Sequence, residues 1–265
     1  MTDNINLAIS PCPNDTFIFG AMLRRDIDVP FNFNVVMEDI QLCNNMALNE
    51  EKDVIKVSFG VFPLIKNNYK ILKCGGALGF GCGPLILSKK YNSMDELKGK
   101  KIAIPGENTT AFMVMKRFYP ECISNIEIMR FDKIMPAITN GSVDGGLVIH
   151  EGRFTFENYG LHKIIDLGEE WEKTYNLPIP LGFISIHKNY ISLADKINKS
   201  IQNSIDYAYN HKDEALLYCK NYAQDMDNTV MSSHIDLYVN KYSYNLEPAV
   251  NAIATLLDVD SSVFV

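Results

Sequence analysis

The sequence has few of the features that mark membrane-spanning, secreted or nucleic-acid-binding proteins. No apolar run approaches the ~20 residues needed to cross a bilayer, and the first ten residues lack the basic segment and long apolar stretch of a signal peptide. Acidic residues outnumber basic ones by 32 to 25, giving a formal net charge of −7, and there is no dense Lys/Arg run. These absences predict a cytoplasmic protein that binds a small molecule, with no nucleic-acid or membrane partner.

Signatures of metals and common cofactors are also missing. The six cysteines form no CxxC pair and no zinc-type spacing, which is typical of thiols in a reducing compartment. Five glycines crowd into residues 75–83, yet they spell neither GxGxxG nor a P-loop. Phe154, not histidine, is the fourth residue after His150, which excludes an HExxH zinc helix. The sequence therefore predicts no cofactor and no metal.

What the sequence does contain is a recurring unit of apolar strand, polar loop and helix. At 265 residues and 47% hydrophobic composition, the chain can bury sizeable cores. Strands are predicted at 5–9, 54–57, 102–104 and 147–149, and each is followed by a loop with polar residues before a helix start. A short helix is predicted at 94–98, and amphipathic helices are predicted at 197–208, 215–222, 230–238 and 249–257. In open α/β sheets, the carboxyl ends of the strands are where ligands bind. The four loops that follow these strands are thus the candidate site.

Each of the four loops carries polar groups suited to binding or proton transfer. In the first loop, 10–17, Asn14 or Asp15 is the expected N-cap of the next helix, and Cys12 is read as an ordinary thiol because no base is adjacent in sequence. Ser58 is either a ligand donor or, more commonly for such a serine, a helix cap. Thr109 and Thr110 offer two hydroxyls and the first amides of a helix.

His150 is the candidate general base, because histidine has the unperturbed pKa closest to neutrality. It follows Gly145, Gly146 and a short apolar run that predicts a buried strand. Arg153, three residues later, is expected to form a structural ion pair with Glu151 or Glu157, or else to contact a ligand. The other four histidines are read as structural or surface residues.

Two of these loops precede Ser88, where the pattern indicates that a second group of strands and helices begins, and two follow it. That arrangement predicts a two-lobed α/β molecule with its ligand in the cleft between the lobes, small donors on each side and one titratable group among them.

Six segments also resemble one known family. They are SPCPNDTF at 10–17, KVSFG at 56–60, GGALGFGCGP at 75–84, PGENTTA at 105–111, IHEGRFTF at 149–156 and NLPIPLG at 176–182. In order and spacing they are similar to the motifs of 1,4-dihydroxy-6-naphthoate synthases, enzymes of the futalosine route to menaquinone. The first and fifth segments are the most specific.

The resemblance implies a type II periplasmic-binding-protein-like fold, in which each lobe is a mixed sheet flanked by helices and two crossing strands join the lobes. It implies that residues 1–87 and 183–265 form a larger lobe and 88–182 a smaller one, including the second crossing connector. It further implies a cofactor-independent carbon-carbon lyase that converts cyclic dehypoxanthine futalosine, an aromatic carboxylate, to 1,4-dihydroxy-6-naphthoate. The general base falls on His150, and substrate binding falls on Ser58, Thr109, Thr110, Asn14, Ser10 and Gly60.

Three alternatives remain open at this point. A non-catalytic small-carboxylate-binding protein of the same fold needs no base, so His150 argues against it. Another lyase of the superfamily, such as a chorismate dehydratase, is disfavoured by the SPCPNDTF and IHEGRFTF motifs. An effector-binding module of a transcription factor normally comes with a basic DNA-binding segment, and none is evident.

Overall fold

A computed structural model describes residues 3–223 and 226–265, and in it the chain forms two compact units. The first unit comprises Met1–Gly79 and Pro180–Val265, and the second comprises Phe80–Ile179. The predicted change of lobe at 88 differs from this division by one strand. The LILS strand at 85–88 belongs to the second unit, because its backbone pairs with two strands of that unit's sheet.

Eleven strands and twelve α-helices lie in the described ranges. The strands are β1 (Asp3–Ile9), β2 (Phe31–Met37), β3 (Val54–Ser58), β4 (Tyr69–Ile71), β5 (Ala77–Gly79), β6 (Leu85–Ser88), β7 (Ile102–Ile104), β8 (Ile126–Ile128), β9 (Gly145–Val148), β10 (His162–Asp166) and β11 (Ile179–His187). The helices are α1 (Pro13–Arg24), α2 (Ile40–Leu48), α3 (Phe62–Ile65), α4 (Thr110–Phe118), α5 (Phe131–Thr139), α6 (Gly152–Thr155), α7 (Leu167–Tyr175), α8 (Ala194–Asn210), α9 (Lys212–Lys220), α10 (Asn228–Tyr238), α11 (Lys241–Tyr244) and α12 (Val250–Leu257).

The first unit is built on a mixed sheet in the order β2-β1-β3-β11-β4, with β5 paired to β11. β1 runs parallel to β2 and β3, whereas β11 is antiparallel to β3 and β4. Apolar residues of β1, α1 and α8 share one buried core, which explains why the amphipathic helices predicted after residue 190 form. All five residues of β3 are buried, including the charged Lys56.

The second unit has a five-stranded mixed sheet in the order β10-β6-β9-β7-β8. β9 is parallel to β7 and antiparallel to β6. Helix α5 packs against β9, and the contact is so close that a Cβ added to Gly146 would lie 2.4 Å from Ile134 Cγ2. Glycine at that position therefore lets the helix approach the strand. Residues of these elements make up a separate buried core.

Three local predictions differ from the structure. Helix α1 begins at Pro13 with Cys12 as N-cap, rather than being capped by Asn14 or Asp15, because the fixed φ of proline suits the first helical position. Residues 94–98, predicted as a short helix, form turns. The strand predicted at 147–149 spans Gly145–Val148, so His150 follows it by two residues, and helix α6 after His150 is a single turn of four residues.

In the described ranges, 3–223 and 226–265, the structure contains no helix with the length and apolar character that a bilayer crossing requires.

Candidate functional site

The predicted site residues fall into one group in each unit, at the carboxyl ends of neighbouring parallel strands. In the first unit, β1 and β3 are adjacent and parallel, so Ser10 and Asn14 lie at the same sheet edge as Ser58 and Gly60. In the second unit, β7 and β9 are adjacent and parallel, so Thr109 and Thr110, at the start of α4, lie at the same edge as His150.

The loop after β1 is held by a buried carboxylate, Asp15, whose side chain is 0% exposed. Its Oδ2 accepts hydrogen bonds from the backbone N–H and the hydroxyl of Ser10, at 3.1 and 2.7 Å. Its Oδ1 accepts from Asn14 Nδ2 at 2.8 Å and pairs with Lys56 Nζ at 2.5 Å. We call these four residues, Ser10, Asn14, Asp15 and Lys56, the Asp15 network. Buried charges of this kind are tolerated only when paired and hydrogen-bonded in this way.

Two of the predicted substrate-binding residues therefore direct polar groups into the protein. The hydroxyl proton of Ser10 goes to Asp15, and the Asn14 side-chain oxygen lies 3.0 Å from Nε2 of His234, a buried histidine on α10. His234 was read as structural or surface, and it is buried. Its contact with Asn14 spans 220 positions of sequence, which no local pattern signals. Substrate binding by Ser10 and Asn14 stays a prediction.

Ser58 ends β3, and the question of cap or ligand donor is answered in part. Ser58 occupies the N-cap position of the following 3-10 turn, as the more common reading predicts, but among the described contacts its side chain makes no capping hydrogen bond there. Its backbone N–H instead donates to Oδ1 of the fully buried Asn44 at 2.9 Å, and Gly60 follows in a 3-10 turn, Phe59–Val61. The hydroxyl of Ser58 remains suited to a ligand.

Lys56, Asn44 and Asp166 are the residues that sequence reasoning missed. Lys56 offered a signal, since a lysine inside the apolar strand VIKVS needs a buried partner. Asn44 and Asp166 offered none, because their partners become neighbours only in the folded chain.

Thr109 is the N-cap of α4. Its Oγ1 accepts from Phe112 N at 3.2 Å and donates to Gly106 O at 2.8 Å. The Thr109 hydroxyl therefore donates its proton within its own loop. The first backbone N–H groups of α4 lie at the sheet edge where β7 ends. Thr110, the first residue of α4, is also buried. The backbone N–H groups of this helix start are suited to an anion. Substrate binding by Thr109 and Thr110 stays a prediction.

His150 lies two residues beyond β9, half-buried, with its ring at 5.0 Å from that of Phe131 and inclined by 72°. Its φ is 58°, in the left-handed region. For a residue other than glycine this conformation costs about 1–2 kcal/mol, and such costs concentrate at functional sites. No pattern in the sequence predicts this backbone conformation.

Arg153 forms an ion pair, as predicted, but its partner is Asp166 and not Glu151 or Glu157. The guanidinium Nη2 lies 2.5 Å from Oδ2 of Asp166 at the end of β10, and Nη1 donates to the carbonyl of Gly83 at 2.8 Å. A partner 13 positions away in sequence is found only when β6 and β10 pair.

The cysteines in and near these loops are buried thiols, and no disulfide joins them in the described structure. Burial raises the pKa of Cys82, in the glycine segment, to about 12, and desolvation followed by the Asp15 charge raises the pKa of Cys43 to about 12. Both are therefore neutral and poor nucleophiles near neutral pH. The described residues include no cluster of three or more His, Cys, Asp or Glu side chains arranged for a metal ion.

Comparison with known proteins agrees with these features. A family model described as menaquinone biosynthesis matches residues 5–260. The chain is 41% identical to a 1,4-dihydroxy-6-naphthoate synthase of Streptomyces coelicolor, across 96% of this chain and 92% of that protein. It is 36% identical to the enzyme of the same name from Thermus thermophilus, across 95% and 92%. The resemblance inferred from the six motifs is confirmed.

Solved structures confirm the fold class. A protein of Archaeoglobus fulgidus superimposes with a TM-score of 0.89 at 33% identity, covering 96% of both chains. The periplasmic aliphatic sulphonate binding protein of Escherichia coli gives a TM-score of 0.66 at 10% identity, across 97% of this chain and 86% of that one. At such low identity the second match is evidence for the fold alone, two mixed sheets flanked by helices in a periplasmic-binding-protein-like arrangement.

Proposed function

Because this chain belongs to the menaquinone-biosynthesis family, we propose that it is a 1,4-dihydroxy-6-naphthoate synthase. The proposed reaction is the cleavage of cyclic dehypoxanthine futalosine to 1,4-dihydroxy-6-naphthoate by a cofactor-independent lyase in the cytoplasm. His150 is its general base. The supporting relatives carry this enzyme's name over more than nine-tenths of the chain.

The observation that carries the proposal is that His150 and the start of α4 lie at the same edge of the second unit's sheet. β9 and β7 are parallel neighbours, so a half-buried imidazole and a helix N-terminus lie at one sheet edge. An anionic substrate group bound at the helix start leaves the rest of the molecule near an imidazole, a side chain that can accept and return a proton. A protein that only binds carboxylates has no need of the second group.

Each group has a distinct role in this proposal. The first turn of α4, capped by Thr109, binds the substrate's aryl carboxylate through backbone N–H groups and Thr110. His150 removes an activated proton from the bound ring system, and its fixed position replaces a bimolecular encounter. Ser58 and the turn containing Gly60 contribute to binding of the same substrate, an assignment that rests on the KVSFG motif.

The test is to incubate purified, metal-stripped protein with cyclic dehypoxanthine futalosine and to follow naphthoate formation by chromatography and mass spectrometry. His150→Asn is the preferred variant because asparagine tolerates a left-handed backbone, which alanine does not. We expect turnover by the wild type and a loss of about two to four orders of magnitude in the variant.

The possible outcomes separate the alternatives. Wild-type turnover by His150→Asn removes His150 from the chemistry. Saturable binding of the substrate without product from either protein indicates a binding protein. Conversion of chorismate in place of the futalosine derivative indicates a different lyase of the superfamily.

A further inference from the structure

Arg153, three residues after His150, links the loop that carries His150 to two other segments of its unit. Only 17% of this side chain is exposed. Its guanidinium contacts two segments at once, the carboxylate of Asp166 at 2.5 Å and the carbonyl of Gly83 at 2.8 Å. A planar guanidinium can hold two acceptors in a fixed relative orientation, which a lysine ammonium cannot.

The two acceptors belong to a closely packed group of residues, Gly83, Asp166 and Gly168, which we call the platform. Asp166 is fully buried and caps α7, with its Oδ1 accepting from Gly168 N at 2.9 Å and Glu169 N at 3.3 Å. Gly83 packs directly on Gly168, and a Cβ added to Gly83 would lie 2.2 Å from the backbone nitrogen of Gly168. The carboxylate therefore has no room to follow a moving arginine, so the platform fixes Arg153 and not the reverse.

The other side of the loop is fixed against β9. A Cβ on Gly152 would lie 2.2 Å from Val148 Cγ1, so the chain turns back onto its own strand directly after His150. The N–H of Arg153 donates to the carbonyl of His150 at 3.3 Å. Main chain and side chain of Arg153 thus connect His150 to the platform through a single residue.

A connection of this kind is what the backbone of His150 requires. Its φ of 58° is unfavourable for histidine and persists only where surrounding contacts enforce it. The ring of Phe131 packs against the imidazole, on the side-chain side of this residue. The contacts of Arg153 with Asp166 and Gly83 and the packing of Gly152 against Val148 are two constraints that act directly beside this residue.

We propose that Arg153, held by Asp166 and the Gly83 carbonyl, is a positioning residue that keeps His150 in its reactive orientation. This inference rests on the proposed function, in which His150 is the base. Arg153 is not assigned a contact with the substrate, because its guanidinium is directed at Asp166 and Gly83.

The first experiment measures kcat and KM separately for Arg153→Met and Arg153→Lys, at a temperature where circular dichroism shows both to be folded. We expect Arg153→Met to lower kcat by about 10- to 100-fold with KM changed less than threefold, because misplacing a base by about an ångström has effects of this size. Arg153→Lys retains one of the two contacts, so we expect it to recover at least part of kcat.

A matched control separates positioning from loss of stability. Met94 is buried in the same unit and lies outside the platform, so Met94→Ala lowers the melting temperature by another route. We expect its kcat to stay within twofold of the wild type. If Met94→Ala loses kcat in proportion to its melting temperature as Arg153→Met does, the role of Arg153 is stability alone and the inference fails.

The second experiment asks whether Arg153 acts through His150. Glycine accepts the left-handed backbone, so His150→Gly is assayed with added imidazole, which replaces the missing base from solution. Adding Arg153→Met to this variant should change the imidazole-dependent rate less than twofold. A loss as large as in the wild-type background overturns the inference, because Arg153 then acts on the substrate or the fold directly.

Failure of the inference and failure of the proposed function give different results. If His150→Gly without imidazole keeps wild-type turnover, the proposed base is wrong. If His150→Gly is inactive while folded Arg153→Met keeps wild-type kcat, only the positioning role is wrong.

Discussion

The loop after β1 in the first unit and the loop after β9 in the second are each held by a fully buried aspartate paired with a cation. Asp15 pairs with Lys56 and Asp166 with Arg153, both at 2.5 Å. The surroundings differ. Asp15 accepts from four donors, all of them buried in its own network. Asp166 accepts hydrogen bonds from a helix start and forms an ion pair with Arg153, which belongs to the loop carrying His150.

This difference separates a loop whose polar groups bond mainly to one another from the loop that carries the proposed base. In the Asp15 network the polar atoms bond to one another, so the loop is rigid and backbone strain is absent from residues 10–15. In the loop after β9 the polar contacts are made by Arg153, three residues after His150. The ring of His150 itself stays half-buried and its backbone is strained. A closed network stabilises its own loop, whereas a network on one side of a residue can orient that residue.

The largest expected effect comes from breaking the Asp15 network. Asp15→Asn leaves Lys56 buried beside an amide, and losing one partner of a buried pair costs about 3–5 kcal/mol. We expect a large drop in the urea midpoint. The control is Asp236→Asn, which removes an exposed pair with Lys212 and should cost at most about 1 kcal/mol. Equal midpoints for the two variants would contradict the assignment of Asp15 as the central group of its loop.

A smaller effect is expected from the two hydroxyls that act within loops. Thr109→Val removes the cap of α4, at a cost of about 1 kcal/mol, and should raise KM several-fold because the helix start is displaced. Thr109→Ser should behave as wild type. Ser10→Ala removes a bond to Asp15, so we expect lower stability with an unchanged KM. A raised KM for Ser10→Ala would instead favour the predicted substrate-binding role of Ser10.

The strain at position 150 can be measured through stability alone. Alanine at a φ of 58° keeps the unfavourable backbone, whereas glycine does not. We therefore expect His150→Gly to have a free energy of unfolding about 1 kcal/mol higher than His150→Ala. At Ser58, whose φ is −73°, the Ala-to-Gly change should have the opposite sign. Matching signs at the two positions would remove the case for strain at His150.

The smallest expected effect is a dependence of stability on alkaline pH. The Cys43 thiol has an ordinary pKa of 9.0 that rises to about 12 in the fold, chiefly through burial and then through Asp15. Above pH 9 the unfolded chain releases this proton and the native protein keeps it, so stability falls as pH rises. At pH 10 the loss is about 1 kcal/mol for this thiol. Urea midpoints at pH 8 and 10 should therefore differ less in Cys43→Ala than in the wild type.

Much of this architecture is predictable from local patterns. Periodicity placed β1, β3, β7 and β9 to within two or three residues, and it placed four of the helices after residue 190. It failed at helix starts, where Pro13 displaced the expected cap, and at 94–98, where an amphipathic pattern forms turns. Local propensity is a weak guide in such short segments, because tertiary contacts override it.

The candidate site was also predictable only in part from local patterns. His150 and Thr109 were identifiable from their positions after apolar strands. Asp166 was not, since its pairing with Arg153 depends on β6 and β10 becoming neighbours. His234 was not, since nothing local distinguishes it from a surface histidine.

The family and the α/β class follow from the sequence alone, and so do the order of strands and helices and the residue types at the strand ends. These features depend on hydrophobic periodicity and on motifs that are contiguous in the chain. Only the tertiary structure decided which polar groups face one another, that Ser10 and Asn14 bond inward, that Arg153 is clamped by Asp166, and that His150 adopts a left-handed backbone. These features arise from buried charges and close glycine contacts between segments distant in sequence, where satisfying every polar group leaves few arrangements.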